Sequence, residues 1–384
     1  MLQPTLGLDI TWSTPMLAVS LELSKGSWKL ALQDGSREKP AIHTVKDEHA
    51  AGRLGETIEV IEATKRKWSL DAQTPVVVIF EAGQDGFWIE RALSARGYAV
   101  KVVDPASIPV ERHARRAKTD RLDAIRLVTT LMAWLRGERD RMHVLRVPKP
   151  EDEAQRQWVR ERGQLQKEIG QHRDRMRKLL RTVGYWDEIG ADFADRLAQA
   201  KVRCHDGAAL PAQLQNRLER ECERLTLAQQ QLKKLEASLV EALPQASRQR
   251  VTQLVALKGI GTVGATRLIL ELFWRQFNNR RQVGACVGLV PQPYDSGESR
   301  VDQGISKQGN RRVRALLIEM AWLWLRYQPD SAISKWFAQR CSGSAPNKRG
   351  KRIAIVAVAR KLVIALWRFL KEGIIPEGAV MKNA

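Results

Sequence analysis

Val76-Val77-Val78-Ile79-Phe80, preceded by Pro75 and closed by Glu81, is the run that decides the fold. Five consecutive apolar, largely β-branched residues predict a strand covered on both faces, the centre of a sheet. Upstream, Ala50 to Leu70 carries Leu54, Ile58, Ile61 and Ala63 among charges, the spacing of an amphipathic helix. Further upstream, Thr5 to Ile10, Met16 to Leu23 and Trp28 to Leu32 predict a three-strand meander. Downstream, Gly86 to Arg96 reads as a helix and Tyr98 to Val103 as a strand. Then comes Arg-His-Ala-Arg-Arg-Ala-Lys-Thr-Asp-Arg-Leu-Asp-Ala, Arg112 to Ala124, which leads into a helix marked by Ile125, Leu127, Val128 and Leu131.

Strand, strand, strand, helix, strand, helix, strand, helix is the order of the ribonuclease-H-like fold. There, acids at the ends of the first and fourth strands meet acids on the last helix, and those positions here hold Asp9, Glu81, Asp120 and Asp123. Two aspartates three apart at a helix start lie on one face. Each acid alone also suits a plainer role: Asp9 a strand-end turn, Glu81 a loop, and the aspartates the helix dipole. An acid inside an apolar strand, however, needs water, a partner or a cation. Four converging carboxylates suit one or two Mg2+ ions acting on phosphate. The neighbouring Arg115, Arg116 and Lys118 suit a polyanion.

The 384-residue chain has a formal net charge of +21, so nucleic acid is the expected partner. No apolar run approaches the roughly 20 residues of a membrane span, and the N-terminus lacks a signal-peptide pattern. The expectation is therefore a cytoplasmic, nucleoid-associated protein without a membrane partner. Cys204, Cys222, Cys286 and Cys341 show no paired spacing for zinc or disulfides.

Three domains are expected: residues 1–145, 146–246 and 247–384. In the middle, Trp158, Leu165, Ile169, Met176, Leu179 and Val183 approximate a heptad, and a second run from Leu214 to Leu243 ends at Pro244. These two helices suit either an antiparallel pair or an intermolecular coiled coil, and the basic end with Arg173, Arg177 and Lys178 suits a phosphate backbone. In the last region Leu-Lys-Gly-Ile-Gly-Thr-Val-Gly-Ala, Leu257 to Ala265, is either a hairpin offering Lys258 and the amides of Gly259 and Gly261 to phosphate, or simply a tight turn. Pro291 to Arg314 combines a Ser-Gly turn with Lys-Gln-Gly-Asn-Arg-Arg. Lys307, Asn310, Arg311 and Arg314 are candidate phosphate contacts, or else a helix start. Ser296, Ser299 and Ser306 are chemically comparable as nucleophiles. Trp322, Trp324, Tyr327 and Trp336 could stack bases but have core spacing. Lys348 and Arg349 open a final helix suited to backbone binding.

Leu-Asp-Ile, Phe-Glu-Ala-Gly, Val-Val-Asp-Pro-Ala-Ser and Lys-Thr-Asp-Arg-Leu-Asp-Ala, with Gly-Leu-Val-Pro and Ile-Ser-Lys-Gln-Gly-Asn-Arg-Arg, resemble the DEDD transposases of bacterial insertion sequences. These are relatives of the Piv and MooV invertases, with a RuvC-like first domain. The wording Glu-Ala-Gly-Gln-Asp-Gly-Phe-Trp resembles the subgroup whose elements bear terminal inverted repeats. The fold implied is α+β and multidomain: an RNase H-like domain, a helical coiled-coil middle and a mainly helical transposase domain. The resemblance implies a bridge-RNA-guided recombinase acting on target and donor DNA, with dimers assembling to a tetramer. It also implies that Ser296 is the nucleophile, forming a phosphoserine link beside Mg2+ held by the four acids. Two other readings stay open: a RuvC-like metal-dependent nuclease using water, and a non-catalytic nucleic-acid-binding protein.

Overall fold

In a computed structural model, residues 15–108, 119–239, 241–296, 299–342 and 348–382 are described, with backbone alone at 106, 295–296 and 299–302. They form two compact units that meet in sequence at Lys149 and Pro150.

The first unit is a five-stranded sheet with helices on both faces. Its strands are β1 (Leu17–Leu23), β2 (Trp28–Gln33), β3 (Ala41–Val45), β4 (Val76–Glu81) and β5 (Ala99–Val103), in spatial order β3-β2-β1-β4-β5. Strand β2 is antiparallel to both β1 and β3, whereas β1, β4 and β5 are parallel. Helix α1 (Ala50–Lys67) links β3 to β4, α2 (Trp88–Ser94) links β4 to β5, and α3 (Asp120–Leu135) follows.

Side-chain alternation sorts the core cleanly. Leu17, Val19, Leu21, Val76, Val78 and Phe80 pack with Ile61 of α1 and with Ile89 and Leu93 of α2. Ala18, Val77 and Ile79 pack instead with Ala124, Leu127, Val128 and Leu131 of α3. The strand at Val76–Glu81 is central and covered on both faces, which its unbroken apolar run predicts.

The meander is shifted by one strand from the expected one. Among the described residues, Met16 to Leu23 and Trp28 to Leu32, read as second and third strands, are first and second, and Ala41–Val45 is third. The reason is pairing: β1 is hydrogen-bonded to β2 on one side and to β4 on the other, which only an interior strand can be. Thr5 to Ile10, and Asp9 with it, lies outside the described residues.

The second unit is helical. Helix α4 (Pro150–Arg181) runs antiparallel to α6 (Ala212–Ala237), with α5 (Phe193–Ala198) between them in the chain. The sequence leaves two arrangements open for these helices, and the pairing described lies within one chain. Met176, Leu180, Phe193, Leu218 and Cys222 form the core of the hairpin. Inside it a polar lock sets the register: the His172 ring lies 2.6 Å from Glu221, which also accepts from Arg175 and Arg224 at 3.2 Å.

A second core joins Val159 of α4 to the remaining helices. These are α7 (Gln245–Val255), α8 (Thr262–Leu268), a π-helical turn at Ile269–Phe273, α9 (Arg280–Cys286), α10 (Arg311–Tyr327), α11 (Ala332–Cys341) and α12 (Lys348–Glu372). A two-stranded hairpin, β6 (Pro291–Ser296) and β7 (Ser299–Ile305), separates α9 from α10. Among the described residues, no helix is long and apolar enough to cross a membrane.

Candidate nucleic-acid-processing site

The sheet register sets two acids at the same end of neighbouring interior strands. Leu21 stands opposite Phe80 in the parallel pair β1 and β4, so the next residues are neighbours: Glu22, one before the end of β1, and Glu81, the last of β4. Both follow the alternation onto the α3 face, because Leu21 and Phe80 point to the other one. Ser20, two residues before Glu22 and fully buried, donates to the Ala124 carbonyl at 2.6 Å. That bond seats the first turn of α3, with Asp120 and Asp123, over the same end of β1.

Thr119 caps α3 by accepting from the Leu122 amide, which starts the helix one residue before Asp120. Asp123 is largely covered and paired with Arg126 at 2.9 Å, whereas Asp120 is exposed. Hard carboxylate oxygens from four positions are the donor chemistry a divalent cation such as Mg2+ takes. Among the described residues, no group of three or more His, Cys, Asp and Glu is drawn close enough to hold a metal ion.

Glu22 is the acid that the sequence reading passes over. Its signal is there to be read: Leu21-Glu22-Leu23 is an acid inside an apolar run, the pattern that draws attention to Leu8-Asp9-Ile10. Arg115, Arg116 and Lys118 lie outside the described residues.

In the second unit several expected phosphate contacts have structural work. Asn310 caps α10, its side-chain oxygen accepting from the amides of Arg312 and Val313, while its Nδ2 donates to Glu271 at 2.8 Å. Arg314 donates to the carbonyls of Val287 and Gln308. Asn310 and Arg314 thus make bonds within the protein, while Lys307 and Arg311 are exposed. Lys307 has φ of 57°, at the turn where the Ser306 and Lys307 amides donate to Val290 and Gly288. Gly309 lies against this same segment, and a Cβ there would clash with the Cys286 carbonyl oxygen. The base of the β6–β7 hairpin is thus clamped to the α9 turn. Ser296 pairs with Ser299 at the tip end of that hairpin.

The Gly-rich turn is equally occupied. The Lys258 amide donates to Val380, and Gln328 Nε2 donates to the carbonyls of both Lys258 and Val380. Gly259 adopts φ of +89° against Tyr327, and Gly261, exposed, precedes α8. Trp324 is core: 1% exposed, with its indole donating to Ser331. Extracting such a residue costs about 3–5 kcal/mol, more than the roughly 1–3 kcal/mol a stacked base returns. Trp322 and Tyr327 are partly exposed, and Lys361 covers the Trp336 ring. Of the basic helix end, Arg177 pairs with Asp174, Arg173 is half-buried and Lys178 is exposed. Lys348 and Arg349 lie in the first turn of α12.

A sheet in the order β3-β2-β1-β4-β5, with acids near the ends of two adjacent parallel strands and more on the helix across them, fits an RNase H-like domain of the DEDD kind. A DEDD transposase model matches residues 37–184, and a model described as transposase, IS116/IS110/IS902 family, matches residues 251–335. The chain is 42% identical over 378 residues to y4rJ of Sinorhizobium fredii, a protein with a transposase name, covering 95% of this chain and 94% of that one. It is 26% identical over 304 residues to the transposase for insertion sequence element IS1328 of Yersinia enterocolitica, covering 78% and 85%. The chain belongs to the IS116/IS110/IS902 family of transposases. Membership implies DNA as the substrate and a divalent metal in the chemistry. Glu81, Asp120 and Asp123 fall inside the matched DEDD stretch, and Glu22 and Asp9 precede it.

Proposed function

We propose that this chain excises and inserts its own insertion sequence through a serine-linked intermediate. Glu22, Glu81, Asp120 and Asp123 hold Mg2+ in this reading, with Glu22 in the first-strand place that the sequence suggested for Asp9. The bound cation supplies Lewis-acid stabilisation of charge on the phosphate. Ser296 Oγ attacks a DNA phosphate: an Oγ–P bond forms, the P–O bond to the leaving strand breaks, and the leaving oxygen takes up a proton. The phosphodiester energy stays in the phosphoserine link, so rejoining needs no ATP. A structured bridge RNA selects target and donor DNA, and dimers assemble to a tetramer in which one protomer's acids serve another's serine. The element belongs to the subgroup with terminal inverted repeats.

The observation that carries the acidic half is the β1–β4 register, which sets Glu22 beside Glu81 on the face crossed by α3. The serine half is supported by a Ser-Gly segment on a hairpin whose base is clamped at Ser306 to Asn310. The net charge of +21 supports polyanionic partners, DNA and RNA alike.

Mass spectrometry of protein incubated with element-junction DNA, flanking-derived RNA and Mg2+ tests the reading. A DNA adduct on Ser296, absent from Ser296→Ala and Asp120→Asn, is expected. Cleavage without adduct, retained in Ser296→Ala, would replace it with a water-using nuclease.

A further inference from the structure

The π-helical turn at Ile269–Phe273 gathers charges that neither the acidic site nor the serine hairpin uses. A π turn inserts an extra residue into a helix and re-aims the side chains around it. Glu271 projects from this turn with its side chain 8% exposed. One of its oxygens accepts from Asn310, and Arg312 lies 3.9 Å from the other, which has no hydrogen-bond partner among the described residues.

Arginines crowd the same place. Arg156 of α4 and Arg275 both lie over the Trp274 ring, at 4.5 and 5.0 Å from its centroid. Arg156 Nη2 and Arg275 Nε are buried without hydrogen-bond partners among the described residues. Arg275 spends another N–H on the Cys286 sulfur at 3.5 Å, a weak acceptor. Arg267 of α8 flanks Glu271 from the helix just before it.

Burial pulls the Arg156 guanidinium below its ordinary range, and Arg160 and Arg275 pull the same way against Glu271 and Glu153. Arg267 is lowered first by burial, with Arg162 and Arg312 adding to it and Glu319 and Glu271 opposing. Carboxylates are thus outnumbered here, and the guanidiniums repel one another across a half-buried surface. Guanidinium forks with spare N–H groups match the paired oxygens of a phosphate.

We propose that Arg156, Arg267, Arg275 and Arg312, arranged around Glu271 and Trp274, form a binding site for a phosphodiester of a nucleic-acid backbone. The site stands independently of the serine and acid chemistry proposed above. Glu271 limits its charge and tethers it, through Asn310, to the start of α10.

Nucleic-acid binding by the full chain tests this, with a labelled DNA duplex and a labelled RNA hairpin titrated across a range of salt. Arg275→Gln and Arg312→Gln together are expected to weaken binding about tenfold and to flatten the salt slope by about one for each phosphate no longer neutralised. Glu271→Gln keeps an acceptor for Asn310 and removes the negative charge, so it is expected to tighten binding and leave the melting temperature near wild type. A loss confined to the duplex assigns the phosphate to DNA, and one confined to the hairpin assigns it to RNA. Unchanged affinity and slope on both, or weaker binding by Glu271→Gln, would overturn the proposal. Should the arginine variants misfold, phenylglyoxal modification of the wild type, mapped by peptide mass, replaces them. Nucleic acid is expected to protect Arg275 and Arg312, and equal modification with and without it would sink the idea.

Discussion

Glu22 and Asp9 sit in near-identical local settings, each an acid between two large aliphatic residues in a short apolar run. Local pattern cannot rank them, because which run becomes the central strand is decided by pairing with Val76–Glu81, more than 50 positions away. Period-2 alternation also leaves register unspecified, and one residue of slip reverses every side chain. Glu22→Gln is expected to lower excision of the element by about 100-fold or more, since even outer-shell partners of a metal ligand are worth about 10–100-fold. Asp9→Asn is expected to retain excision; the reverse ranking in an excision assay would return the first-strand role to Asp9. Asn310 offers a second test at this scale. As cap and as partner of Glu271, it should cost about 2 kcal/mol when replaced by alanine, read as a lower melting temperature with Asn310→Ser between the two.

Elements with strong, long periodicity were readable from the sequence. Helices α1, α3 and α4 fall close to their expected bounds because each carries a sustained apolar stripe, while α6 stops at Ala237, short of the expected Leu243. Strand β3 was not readable: Ala41–Val45 is an edge strand, half-exposed, with His43 and Thr44 facing out. The β6–β7 hairpin hides for another reason, since Pro291, Pro293 and Gly304 are poor strand formers and its pairing carries an irregularity at Pro291 and Pro293. Within the α4–α6 hairpin, apolar spacing misses His172 and Glu221, which occupy core positions as a polar pair. Burial raises the Glu221 carboxyl, but the hydrogen bond from His172 and the charges of Arg175, His172 and Arg224 outweigh it, leaving it below its ordinary value of 4.5. A carboxyl lowered in the folded state stabilises fully above its unfolded value and loses that contribution as pH falls through the folded one. Glu221→Gln should therefore cost about 2 kcal/mol at neutral pH. Thermal melts against pH should show the gap to wild type closing below about pH 4; a gap that persists in acid would mean that the carboxylate charge does not matter.

At the scale of the whole molecule, the charge of +21 sets how the protein meets nucleic acid. Six or more neutralised phosphates give a slope of log affinity against log salt of about −5 or steeper on duplex DNA. Titrations across salt check this, and a slope near −2 would mean that most of the cations are engaged within the protein, as Arg175, Arg177 and Arg314 are.

The pairing of the Gly-rich turn with residues near Val380 also has a consequence for timing. Lys382 Nζ donates to the Ile260 carbonyl across 122 positions of chain, and Leu257 forms a bridge with Met381. On a ribosome adding about 5–20 residues per second, that turn emerges roughly 6–25 s before its partner does. During that interval the Lys258 amide and the Ile260 carbonyl are met only by water or by a chaperone. Messages cut short upstream of codon 380 would yield chains that never close this staple.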